Sequence, residues 1–202
     1  MISSSPFANP GNGVCLAIVF EGGLVVLAWG LGWLLESPPF GRVYLGWQDI
    51  AWGIVATCPP LLAMFWCTRL QWGPFPGLVR EVEENLVPLF AGCSHFHYAL
   101  ISVLAGFGEE ALFRGVIQTT LAHWLNPWVA LAVASALFGF GHLITPTYAV
   151  LAGLLGLYLG GLSMVYDNLL LAIVVHALYD FVALTYLVHK HKTQREPSTG
   201  PR

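Results

Sequence analysis

The chain has 202 residues, 56% hydrophobic and only 9% charged, where a soluble globular domain carries roughly a quarter charged residues. That composition excludes an ordinary water-soluble enzyme. A net charge of -3 with eight Lys and Arg, none of them forming a basic stripe, excludes nucleic acid as a partner.

Residues 1–12 are polar, carry no Lys or Arg, and lead into an apolar run over 14–35. A secretory signal needs a basic start and a shorter core, so this run reads as an uncleaved first membrane helix. Glu21 sits inside it and either snorkels or faces the bundle interior. Glu36, Ser37, Pro38 and Pro39 end the helix, and a second span follows over 50–68, with Pro59 and Pro60 expected as a tolerated kink. Residues 69–85 are the one strongly charged interior segment; Leu78, Val82, Leu86 and Leu89 recur there at helical spacing, predicting a short amphipathic helix in the interface.

From Leu86 to Leu187 the chain is apolar again, enough for four or five spans at about 20 residues each. Turn and breaker signals at Gly106–Gly108, Asn126-Pro127, Thr145-Pro146 and Asp167-Asn168 predict spans over 86–106, 109–124, 127–144, 147–166 and 169–188. Gly153, Gly156, Gly160 and Gly161 are small residues suited to close helix packing. The sum is an all-α, polytopic transmembrane bundle of about seven helices plus the interfacial helix, in a single domain over 1–202. Its N-terminal helices lie over 14–68 and its polar motifs over about 106–188. The tail 189–202 holds half of the Lys and Arg residues, which by the positive-inside rule puts the C-terminus in the cytoplasm. Four scattered cysteines, Cys15, Cys58, Cys67 and Cys93, show no pairing pattern and read as apolar thiols.

Function is concentrated in the few ionisable residues of the apolar second half, because a charge at membrane depth costs several kcal/mol unless paired or hydrated. In GEEALFRG, Glu110 and Arg114 are four apart and share a helix face, an ion pair within one turn. Glu109 lies about 100° around. The pair thus divides into a braced carboxylate and one free for proton transfer. Phe138 and His142 in ALFGFGH are four apart, as are His176 and Asp180 in VVHALYDF. Convergence of these groups in one polar pocket answers their burial costs together. Glu109, His142 and His176 form the ligand set of a catalytic zinc with an open position for water, and Asp180 can orient His176 from behind. His123, beside Trp124 at a helix end, reads as interfacial.

The ordered set Glu109-Glu110-x-x-x-Arg114, Phe138-x-x-x-His142 and His176-x-x-x-Asp180 resembles the CPBP intramembrane proteases. That family comprises the type II CAAX prenyl endopeptidases and the Abi bacteriocin-immunity proteins. The likeness spans about Gly106 to Val188. It implies that Glu109 activates the attacking water, that Glu110 and Arg114 brace the site, and that His142 and His176 complete it. The last motif position is commonly Asn in such proteins; here it is Asp180, and an ionised Asp cannot donate a hydrogen bond to an oxyanion. The expected function is an intramembrane endopeptidase, either a zinc enzyme or a metal-free glutamic one, acting on a peptide substrate within the lipid bilayer of a prokaryotic plasma membrane. The alternatives are a transporter or proton relay, or a non-catalytic immunity protein. Transporters often show paired halves, and no repeat is visible in this chain.

Overall fold

In the computed structural model, residues 10–195 are described and contain no β-strand. Seven helices follow one another: α1 Pro10–Leu34, α2 Trp47–Cys67, α3 Phe75–Phe90, α4 His95–Trp124, α5 Pro127–Gly141, α6 Pro146–Tyr166 and α7 Leu169–Arg195. The expected all-α bundle is the observed one. Residues 1–9 and 196–202, including the outer part of the predicted basic tail, lie outside the described residues.

Four stretches, Gly13–Leu34, Trp47–Cys67, Pro146–Tyr166 and Leu169–Thr193, are long and apolar enough to cross a membrane, and the pair α3–α4, bent by 110°, counts as a fifth only if the two form one span. The chain is a multi-pass membrane protein. Its exposed aromatic residues cluster toward helix ends, with Trp33, Trp47, Trp66, Trp124, Trp128 and Tyr166 all facing outward, as amphipathic rings do at the two bilayer surfaces.

The caps behave as the breaker signals foretell. The Asn126 side chain accepts from the Trp128 amide at 2.9 Å and Thr145 Oγ1 from the Tyr148 amide at 3.0 Å, each satisfying a donor that a helix start leaves open. Asp167 turns the chain in the left-handed region, with φ 47°. Asn168 then accepts from the amides of Leu170 and Tyr44 and donates to the Tyr44 carbonyl at 2.8 Å. One side chain therefore caps α7 and pins the α1–α2 loop to it.

At Gly106–Gly108 the expected break does not occur; the chain turns instead at residues 91–94, and α4 runs through as one helix. The glycines are there for contact. A Cβ at Gly106 would stand 3.0 Å from the Ile173 carbonyl oxygen of α7, and one at Gly108 would stand 2.8 Å from the Glu21 carbonyl oxygen of α1. Removing side chains at these positions lets α4 lie directly against both neighbours, and without a Pro or a cap nearby the helix has no reason to stop. The amphipathic helix forms as α3, where Leu78, Val82 and Val87 bury against Tyr98 and Val188 and Lys190 reaches Glu83 at 2.8 Å.

The bundle packs α4 between α1 and α7, with α5 against α6 and α2 against α7. The loop after α1 folds back onto α4 at Gly115, where Ser37 Oγ donates to the Gly115 carbonyl at 3.1 Å and an added Cβ would fall on the Pro39 carbonyl oxygen. Backbone cannot yield as a side-chain tip can. Gly115→Ala is therefore expected to cost about 1–3 kcal/mol and to lift residues 36–46 off the helix, read as a lower midpoint of thermal unfolding in detergent and faster proteolysis within that loop.

Candidate active site

α4 carries the acidic half of the site. It is α-helical through Glu110 and then winds as a π-helix over Ala111–Gln118, a wider turn found often at functional positions. Arg114 Nη1 donates to Glu110 Oε1 at 2.9 Å, with the two side chains 1% and 0% exposed. A buried ion pair is stable only if its remaining donors are also met. Arg114 Nη2 accordingly donates to the Gly156 carbonyl of α6 at 3.1 Å, and its guanidinium carbon lies 4.3 Å from the centre of the Phe138 ring, within cation–π range. Gly156 must be small here, since a Cβ would stand 3.3 Å from Nη2.

α5 and α7 bring the two histidines. With 15 residues, α5 is about 22 Å long, short of a roughly 30 Å hydrocarbon core. His142 is its C-cap. The ring Nδ1 lies 2.8 Å from the Phe138 carbonyl oxygen, so it donates to one of the carbonyls that a helix end leaves open. That bond turns Nε2 toward Glu109, whose Oε2 is 3.5 Å away. On α7, His176 Nδ1 lies 2.8 Å from Glu110 Oε1; the carboxylate only accepts, so the ring donates. Its Nε2 faces Asp180 Oδ2 at 3.4 Å. Phe138 stacks on His142 with ring centres 4.5 Å apart and meets His176 edge-on at 5.9 Å. One phenyl ring thus touches Arg114 and both histidines.

All seven expected residues gather in this region, arranged in two lines. The braced line runs Arg114, Glu110, His176, Asp180. The second is the contact of Glu109 with His142. The expected Glu110–Arg114 pair is present, yet Glu110 does more than satisfy the arginine, because the same oxygen fixes the His176 ring. Asp180 meets the opposite ring nitrogen, so His176 is held from both ends. Glu109 is 6% exposed, and its Oε2 has no hydrogen-bond partner among the described residues. His123 is exposed at the end of α4, as expected.

The zinc set does not assemble in this form. No group of three His, Cys, Asp or Glu side chains among the described residues is placed to hold a metal ion. His176 donates from Nδ1 to Glu110 and turns Nε2 toward Asp180, so Nε2 is the nitrogen that would hold a zinc ion together with Glu109 and His142.

Two residues outside the motifs join the site. Glu21, for which snorkelling and an inward position were both open, faces inward; it is 9% exposed, and Asp180, His176 and Glu109 are its charged neighbours. Tyr148 of α6 lies with its ring centre 6.3 Å from that of His142 and has Asp180 and Glu109 near it. The helix-start signal at Thr145 places Tyr148 on the first turn of α6, but no spacing rule ties that turn to His142.

Residues 92–182 match the family model described as Type II CAAX prenyl endopeptidase Rce1-like. Over this segment the chain is similar to the Rce1-like family. No curated protein and no solved structure matches the chain. The Rce1-like segment takes in α4, α5, α6 and the first half of α7 and ends two residues past Asp180, so it contains every expected site residue. Glu21 lies outside it.

The Rce1-like core rests on Arg114. Replacing it by Ala leaves Glu110 buried without its charged partner and frees the Gly156 carbonyl, and breaking such a pair costs about 3–5 kcal/mol. Unfolding of Arg114→Ala followed by circular dichroism in detergent is expected to show a loss of that size, whereas Arg114→Lys, which keeps the charge but lacks the planar fork, falls between it and the parent protein.

Proposed function

We propose that the chain is an intramembrane endopeptidase of CAAX type in which Glu109 activates water without a metal. One observation carries this reading. Of two adjacent buried carboxylates, Glu110 is bound by Arg114 and His176, while Glu109 Oε2 is unpartnered among the described residues and sits 3.5 Å from His142 Nε2. Glu110 is held through Oε1 by two charged groups, which keep it ionised, although its Oε2 is also without a hydrogen-bond partner among the described residues. Glu109 lacks that hold and is free to move a proton.

In this mechanism Glu109 takes a proton from water as the water oxygen attacks the scissile carbonyl carbon. His142, its Nδ1–H fixed on the Phe138 carbonyl, shares that proton through Nε2. The carbonyl oxygen becomes an oxyanion, and the Nε2–H of His176, 3.4 Å from Asp180 and so not fully used there, donates to it. Glu110 keeps the ring still by holding Nδ1, and Arg114 keeps Glu110 still. When the tetrahedral intermediate collapses, the C–N bond breaks, the nitrogen takes the proton from Glu109, and both carboxylates return to their starting state. Asp180 in this scheme orients His176 and accepts, so it has no need of the amide donor that Asn brings at the same motif position.

A zinc ion, if bound, would supply a polarised water. The contact of Glu109 with His142 Nε2 at 3.5 Å supports the route that uses none, since it sets a carboxylate beside a second base. The lysines at the end of α7 favour a cytoplasmic C-terminus, and we place the protein in a prokaryotic plasma membrane.

The test uses purified protein in detergent and a peptide ending in S-farnesylated Cys-Val-Ile-Met, the C-a-a-X arrangement that defines such substrates. Loss of the terminal tripeptide, followed by mass spectrometry, is the expected reaction. Glu109→Gln should reduce kcat by about 10²- to 10⁴-fold with the far-ultraviolet dichroism unchanged, and full activity in that variant would reject the assignment. A zinc chelator should leave the rate unchanged; inhibition reversed by added zinc would restore the metal route. Asp180→Asn should keep most of the activity, because the amide oxygen still accepts from His176.

A further inference from the structure

Glu21 belongs to the first half of the chain, where no motif was found, yet it is buried with Glu109, His176 and Asp180 as its charged neighbours. Its place is set by the closest approach of α1 to α4: the Glu21 carbonyl oxygen lies where a Cβ on Gly108 would stand 2.8 Å away, one residue before Glu109. Glu21 is 9% exposed. Its Oε2 finds no hydrogen-bond donor among the described residues.

A carboxylate oxygen can only accept, and leaving it buried without a donor costs more than a neutral group would. The neighbours offer no remedy. Glu109 and Asp180 are themselves acceptors, and His176 directs its nitrogens to Glu110 and Asp180. A donor brought by the substrate would meet this acceptor. An extended peptide brings one N–H per residue, and a bundle of helices has no strand edge on which to pair them. A peptide carbonyl would meet only repulsion at Glu21. The nitrogen of the scissile bond is the one that receives the proton from Glu109, which leaves the N–H groups on either side of it.

We propose that Glu21 is a substrate-binding residue, contributed by α1, whose Oε2 accepts a main-chain N–H of the peptide next to the scissile bond. The inference rests on the peptidase reading above and deepens it by giving the site a backbone contact that depends on no particular side chain of the substrate.

The experiment compares the farnesylated Cys-Val-Ile-Met peptide with three analogues in which an ester oxygen replaces the N–H of Cys, Ile or Met, each against wild type, Glu21→Leu and Glu21→Gln in detergent. In wild type, one analogue is expected to lose about tenfold or more in kcat/KM, the size of a lost hydrogen bond to a charged group, mainly through a higher KM. Glu21→Leu should show that loss already on the parent peptide and no further loss on that analogue, while the other two analogues behave alike in both proteins. Glu21→Gln retains an acceptor oxygen and a similar shape; there the penalty on the sensitive analogue shrinks, and this variant decides the matter if Glu21→Leu does not fold. Equal ester penalties in all three proteins, or a fall in kcat at constant KM, would overturn the proposal while leaving the peptidase standing. Failure of wild type to cleave the parent peptide would remove both.

Discussion

The arrangement depends on a guanidinium buried to 1% exposure inside an apolar bundle. Arg114 is tolerable there only because three partners from three helices meet it: Glu110 one turn earlier, the Gly156 carbonyl, and the face of Phe138. Each partner is then no longer free to move. Glu110 is fixed and so fixes His176. Phe138 is fixed, and its carbonyl and ring together hold His142. The two histidines are thus placed by a residue that touches neither a reacting atom nor the pocket's open carboxylate.

Helix geometry works in the same direction. The π-helical segment beginning at Ala111 follows directly on the two glutamates, and the wider turn changes the angular step at the point where adjacent carboxylates must do different things. α5 stops at Gly141 before it is long enough to cross a bilayer, and the turn at residues 142–145 meets its own needs: the amides of His142, Leu143 and Ile144 all find carbonyls nearby. Irregular backbone in an apolar surround is permitted where such bonds are closed locally. What is gained is a histidine on a helix end, free of the rotational limits of a helix interior, with its ring pinned to an i-4 carbonyl.

Much of this was legible in the chain itself, for identifiable reasons. Scarcity made Glu109, Glu110, Arg114, His142, His176 and Asp180 conspicuous, and i,i+4 spacing named three of the contacts, Glu110–Arg114, Phe138–His142 and His176–Asp180. The caps at Asn126, Thr145 and Asn168 marked three helix starts because Asn and Thr carry the acceptor that a helix start requires. What remained hidden were contacts across elements. Gly106 and Gly108 read as punctuation because a sequence does not show what lies opposite a glycine, and here it is the backbone of α7 and α1. The bond from His176 to Glu110 spans 66 positions. No periodicity relates them, so Asp180, the near neighbour, took the orienting role that Glu110 shares. Glu21 stayed ambiguous for the same reason: a lone carboxylate in an apolar helix reports its cost but not its direction.

The position of Glu21 bears on what the N-terminal helices are for. The Rce1-like segment begins at residue 92 and holds Glu109, His142 and His176, the groups to which the proposed mechanism gives the proton transfer and the oxyanion, on α4, α5 and α7. Those three helices leave the side of Glu109 toward α1 without a wall, since Gly106 and Gly108 strip α4 of bulk along the faces it turns to its neighbours. α1 closes that side at van der Waals distance and puts a carboxylate into the gap. A helix needed only as an anchor would close it with leucine, which has no desolvation cost and packs as well. That the chain instead accepts a second buried carboxyl group beside Glu109 fits the acceptor role proposed for Glu21. A membrane peptidase has particular need of such an acceptor, because its substrate must unwind in a surround where main-chain N–H groups have no water to turn to.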